Sequence, residues 1–151
     1  MKLQDIKDAV GKICLSHRRI NDFNYGEEFV IDDLNNGLVQ QAFLEMPYTI
    51  AYDDNNRFKN YGFALLILSP SNGQDGDDHR IISETEGIAD AIFKRLSNEL
   101  KSKGVSVSAI NGVSLRNMSS SDLSGVRFEF QVKTSRIYCD DNYIDEFDRT
   151  C

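Results

Sequence analysis

The run YGFALLILSP, residues 61 to 70, limits what this chain can fold into more than any other stretch. It is almost continuously apolar, ends at a proline, and lies between two groups of turn formers, DDNNRFKN at 53–60 and SNGQDGDDHR at 71–80. A membrane helix needs about 20 apolar residues, so this shorter run reads as a strand covered on both faces. Upstream, Phe43, Leu44, Met46, Tyr48, Ile50 and Tyr52 alternate closely enough to predict a strand buried on one face. The two strands read as a β-hairpin. Pro47 falls within the first of them and cannot donate to a ladder, which predicts a sheet edge there or a strand start at Tyr48.

A sheet needs a cover, and residues 83 to 104, SETEGIADAIFKRLSNELKSKG, supply one. Ser83 with Glu86 has the spacing of a capping box, and Lys101, Lys103 and Gly104 make a basic last turn and a stop. Ile88, Ile92, Phe93, Leu96 and Leu100, with Ala89, form one apolar stripe to lay against the sheet. Leu3, Ile6, Val10, Ile13 and Cys14 predict a second, short helix over 3–15. Cations are favoured at a helix C-terminus, which accounts for Arg18 and Arg19 just behind it.

Residues 21 to 41 show neither helical nor strand period and read as a long connection with room for a short strand at Phe29–Ile31. VSVSAINGVSL at 105–115 alternates around Asn111-Gly112, the strongest short-range hairpin signal. VRFEFQV at 126–132 turns Val126, Phe128, Phe130 and Val132 inward and Arg127, Glu129 and Gln131 outward. No strand–helix–strand unit repeats. The expected class is therefore α+β: an antiparallel sheet of about four strands, a long helix on one face and a short N-terminal helix. Residues 1–137 read as one domain and 138–151 as an acidic, aromatic C-terminal segment.

Chemistry is sparse. The formal net charge of −7 argues against sequence-independent nucleic-acid binding through a basic face, yet suits a wall past which DNA moves without sticking. Cys14, Cys139 and Cys151 are odd in number with no close pair, so no disulfide framework is expected. The N-terminus lacks the apolar run of a secretory signal, and a soluble protein of a reducing cytoplasm is expected. His79 beside Asp77 and Asp78 is the sole hook for an enzyme or small-molecule site, and His17 stands alone after the first helix. Asp75, Asp77 and Asp78 do not match the oxygen positions that a calcium loop requires around Gly76. No phosphate-binding glycine loop, nucleophile elbow or zinc spacing occurs. The expectation is a non-enzyme without cofactor or metal.

The order of a short helix, the strand MPYTIAY, a hairpin into YGFALLIL, the helix ETEGIADAIFKRL and a late strand GVRFEFQV resembles the tail-terminator and neck proteins of tailed bacteriophages, the ring proteins of crAss-like phages among them. The likeness covers about residues 3 to 135 and lies in element order and hydrophobic texture. It implies a virion structural protein, made in the host cytoplasm, whose copies form a ring between portal and tail. Its partners would be itself, neighbouring portal, neck or tail proteins, and DNA passing through the channel unbound. The alternative is a small cytoplasmic adaptor that binds a protein or peptide through its hairpin and C-terminal segment.

That segment, YCDDNYIDEFDRTC, could also be a metal site or a solvated tail. Asp140 and Asp141 are adjacent, which suits a cation poorly. One helical turn would bring Tyr143, Ile144 and Phe147 to one face, which is more apolar content than a solvating tail needs. It reads as a docking segment whose carboxylates meet Lys12, Arg18 and Arg19 of a neighbouring copy. The candidate interface set is Tyr143, Ile144, Phe147, Asp140, Asp141, Arg18, Arg19 and Pro47.

Overall fold

A computed structural model describes residues 1–26, 39–46, 49–53, 55, 57–71, 75–116 and 123–135. In chain order they form α1 (Leu3–Ser16), β1 (Asp22–Gly26), β2 (Gln41–Glu45), β3 (Thr49–Tyr52), β4 (Phe58–Pro70), α2 (Asp75–Lys101), β5 (Ser106–Leu115) and β6 (Leu123–Ser135). The class is α+β, with both helices packed on an open six-stranded sheet ordered β1-β2-β4-β6-β5, and β3 also pairing with β4. The expected purely antiparallel sheet of about four strands is corrected in two respects. There are six strands, and β1 runs parallel to β2.

β4 is the spine. Residues 61–68 are all buried, and β4 pairs with β6 along its whole length, from Phe58 opposite Ser135 to Pro70 opposite Leu123. Because side chains alternate across a strand, Tyr61, Phe63, Leu65 and Ile67 enter the core beneath the helices while Leu66 and Leu68 face away. The helix-side core gathers Ile6, Val10, Ile13 and Cys14 of α1, and Ile88, Ile92, Leu96 and Leu100 of α2. Phe130 of β6 stacks on Phe63 at 5.4 Å and meets the edge of Phe93 at 5.1 Å, the offset geometries that aromatic quadrupoles favour. On the opposite face Phe43, Leu66, Leu68 and Leu123 form a second buried cluster, with Leu115 against it. The double coverage read from residues 61–70 holds, as does the inward and outward alternation of β6.

The predicted strand over 43–52 is two strands. β2 pairs with the second half of β4, Gln41 opposite Leu68 to Leu44 opposite Leu65, and β3 with the first half, Thr49 opposite Gly62 to Tyr52 opposite Lys59. Pro47 lies in the break and outside the described residues. All four residues of β3 are exposed, so the one-sided burial expected there fails.

α2 begins eight residues before the predicted cap at Ser83. Ile81, Thr85, Ile88, Ile92 and Leu96 are all buried at helical spacing, so the stripe already runs upstream of the apparent capping box. Residues 75, 77 and 78, read as part of a polar loop, instead lie in the first turn of α2. The predicted stop holds: Gly104 has φ +72° and the Val105 N–H donates to the Leu100 carbonyl at 3.1 Å, a glycine C-cap.

No hairpin forms at Asn111-Gly112. β5 runs unbroken for ten residues with a register shift between Ala109 and Asn111 that leaves Ile110 as the extra residue of a bulge. Gly112 lies opposite Phe128, and a Cβ there would stand 2.6 Å from that ring. The glycine admits an aromatic neighbour rather than a turn. β1 likewise replaces part of a stretch read as connection, with Phe23 and Tyr25 packing against the helix-side core; Phe29–Ile31 lie outside the described residues.

Candidate functional site

Arg18 and Arg19 are exposed in the turn after α1. Tyr143, Ile144, Phe147, Asp140, Asp141 and Pro47 lie outside the described residues. His17, which ends α1, accepts the Arg19 backbone N–H at Nδ1, 3.2 Å away. Partial burial, then Arg19, then Arg18, hold its imidazole below its ordinary pKa.

The histidine hook is dispersed by the helix that carries it. Asp78 is buried, and its Oδ1 accepts from Ser71 Oγ at 3.2 Å and Ser124 Oγ at 3.4 Å. His79 is exposed, and Asp77 pairs with Arg80 at 3.7 Å. Asp78 thus ties the start of α2 to β6. Among the described residues no three His, Cys, Asp or Glu side chains converge as metal ligands. Burial pushes the Cys14 thiol up to about 12, which removes it as a nucleophile at neutral pH.

A charged cluster lies on the sheet face away from the helices. Arg127 Nε and Nη2 donate to Glu45 Oε1 and Oε2 at 2.9 and 2.8 Å, and Nη1 donates to Glu129 Oε1 at 2.9 Å. Its bond to Glu45, outweighing the opposing effect of burial, and its bond to Glu129 raise the guanidinium pKa, so the group is a fixed cation. Its carboxylates are engaged with it. The arrangement ties β2 to β6 across β4.

The margins of the sheet present a different chemistry. Six large apolar side chains among the described residues are markedly exposed, and four of them sit on two strands: Ile50 and Tyr52 on β3, Ile110 and Val113 on β5. Neither TIAY nor SVSAINGVSL contains a charge. Eight of the ten β5 residues are exposed, and no described strand pairs with its outer side. An edge of this length carries unpaired backbone donors and acceptors, and proteins ordinarily guard such edges with lysine, proline or a covering segment. Among the described residues the bulge is the single such device on β5. These edge residues were missed in the sequence because β5 reads as a hairpin; the absence of charge from 105 to 115 was the available signal.

The described residues hold no helix long and apolar enough to cross a membrane. No family model matches the chain, and no curated protein matches it.

Proposed function

We propose that this chain is a ring-forming virion structural subunit of a phage head-to-tail connector or tail terminator, surrounding the channel through which DNA passes. The observation that carries this reading is the uncharged, exposed β5 edge, which has the chemistry of a surface completed by another chain. A contact between two different margins of identical subunits is heterologous, and such a contact closes into a ring when the rotation allows. The element order supports a small neck subunit, and the net charge of −7 suits a passage that must not hold DNA. The portal, neck or tail proteins on either side are the proposed neighbours, and the C-terminal segment with Tyr143, Ile144 and Phe147 is the proposed joint.

Native mass spectrometry and negative-stain imaging of the purified chain, alone and mixed with portal or tail proteins, test this. A single closed copy number with ring-shaped particles is expected. A compact monomer in every mixture would overturn it. The adaptor reading is favoured by the same edge, since an extended peptide can add to a sheet as an extra strand; saturable binding of one peptide without any ring would select it.

A further inference from the structure

The two margins of the sheet break at the same height. Traced through β6 and β4, Ser106, Val107 and Ser108 lie on the rungs of Asn60, Tyr61 and Gly62, which on the far side carry Ala51, Ile50 and Thr49 of β3. Gly112 to Leu115 lie on the rungs of Leu65 to Leu68, which lead through β2 to Tyr25 and on to Asp22 of β1. The bulge between Ala109 and Asn111 falls between these sets, where the opposite margin passes from β1 to β3.

Direction matches as well. β5 runs with β4, since each is antiparallel to β6, whereas β3 and β2 run against β4, and β1 follows β2. Copies related by rotation about an axis along the strands therefore present β5 antiparallel to the next copy's β1 and β3. β1 stands one strand further out than β3, and a strand following that step has to bend, which a bulge provides.

We propose that β5 of one copy adds antiparallel to the opposite margin of a second copy, Ser106–Ala109 beside β3 and Asn111–Leu115 beside β1, with the Ile110 bulge at the step. This rests on the ring reading and names its interface. In this register Val107 and Ile50 of the neighbour share the helix side of the continued sheet, whereas a slip of one residue would put them on opposite faces.

Disulfide trapping tests the register with Cys139 and Cys151 replaced by serine. Ser108→Cys with Thr49→Cys, and Val107→Cys with Ile50→Cys, sample adjacent rungs, of which one has the closer approach that a disulfide needs. Oxidation is expected to give a covalent ladder ending at the ring's copy number, while Ser114→Cys with Thr49→Cys gives none. An intact ring without the in-register ladder, or with an equal off-register one, overturns the pairing and leaves the ring reading standing. A wild-type chain that stays monomeric at all concentrations, alone and mixed with portal or tail proteins, overturns both, and a ladder that builds open filaments supports the pairing against ring closure. Where a cysteine pair fails to fold, Ser108→Lys with Ser114→Lys, both at exposed edge positions, should convert rings to monomers with an unchanged circular dichroism spectrum; unchanged rings overturn the pairing.

Discussion

Arg127 on β6 grips Glu45 on β2 through two hydrogen bonds of 2.9 and 2.8 Å, reaching across β4 between residues 82 apart in sequence. The pair is largely withdrawn from water, with the side chains 21% and 12% exposed, so removing one partner leaves the other charge poorly solvated. Arg127→Ala is expected to cost about 2 kcal/mol, the scale of hydrogen bonds to charged groups. Arg127→Lys should recover only part of this, because an ammonium cannot reproduce the planar fork. Urea denaturation of both variants, with Glu45→Gln and the double mutant to close the cycle, measures the coupling; additive losses would show that the pair contributes nothing of its own.

Gly112 and Gly125 both face occupied space, but the occupants differ. At Gly112 a Cβ meets the Phe128 ring, a side chain able to turn aside, whereas at Gly125 it would fall 1.9 Å from the Ile67 carbonyl oxygen, part of the β4 backbone. Gly112→Ala should therefore destabilise by about 1–2 kcal/mol, and Gly125→Ala by about 3 kcal/mol or more. Combining Gly112→Ala with Phe128→Leu should cost less than the sum of the two changes, since the smaller side chain vacates the space. Thermal melts of the four proteins decide this, and equal losses at the two glycines would contradict the geometry.

Those glycines also show which parts of the fold could be read from sequence. Signals carried within one element held: the stripe of Ile6, Val10 and Ile13, the double coverage of β4, the alternation of β6 and the stop at Gly104. Signals overruled by a distant partner misled. Asn111-Gly112 has the local chemistry of a turn, but Phe128 needs the space over the glycine more than the chain needs to reverse. Ser83 and Glu86 have capping spacing, but buried Ile81 lies upstream of them and draws the helix back to Asp75. β1 offers only Phe23 and Tyr25 as alternating apolar residues, and its parallel pairing with β2 leaves no local trace. The candidate site follows the same rule. Its missing charges are visible in the residues of β5, whereas its place at a margin depends on strand order.

Cys14 is fully buried in the helix-side core, and its thiol is pushed from 9.0 up to about 12 by loss of hydration. In a Cys139→Ser, Cys151→Ser background, iodoacetamide should leave the folded chain unmodified at pH 8 and label it at the rate of global unfolding. The linkage sign also follows. A raised folded pKa contributes stability that is present below the unfolded value and lost as pH rises towards the folded one, so Cys14→Ala should flatten the alkaline side of the stability profile above about pH 9. Rapid labelling without unfolding would refute the burial.

His17 gives the acid counterpart. Its Nδ1 accepts the Arg19 N–H, and partial burial with Arg19 and Arg18 nearby lowers its pKa below 6.5. Protonation removes that acceptor, and the unfolded chain binds the proton more readily than the folded one. Stability contributed by the neutral ring is therefore present above about pH 6.5 and lost as pH falls through the lowered folded value. The effect should be small, since solvent screens the neighbouring charges. Urea titrations at pH 7.5 and 5 should show a drop in midpoint that His17→Gln reduces; an identical drop in the variant would assign the acid response elsewhere.

The C-terminal segment is the proposed joint between copies, and its chemistry separates assembly from folding. Both described core clusters are built from residues no later than Val132, so deleting residues 140–151 should leave the thermal transition of the subunit within a few degrees of wild type. Assembly is expected to weaken, because Tyr143, Ile144 and Phe147 would no longer dock and Asp140 and Asp141 would no longer meet a basic stretch. Arg18 and Arg19 are exposed and adjacent, the most basic part of the chain's surface near α1, and Arg18→Glu with Arg19→Glu should weaken the ring in the same way. The two changes should not add fully when combined, since each removes one side of a single contact. Sedimentation velocity across a concentration series measures all three. Rings of unchanged stability after the deletion would confine the interface to the strand margins, with the C-terminal segment serving some other partner.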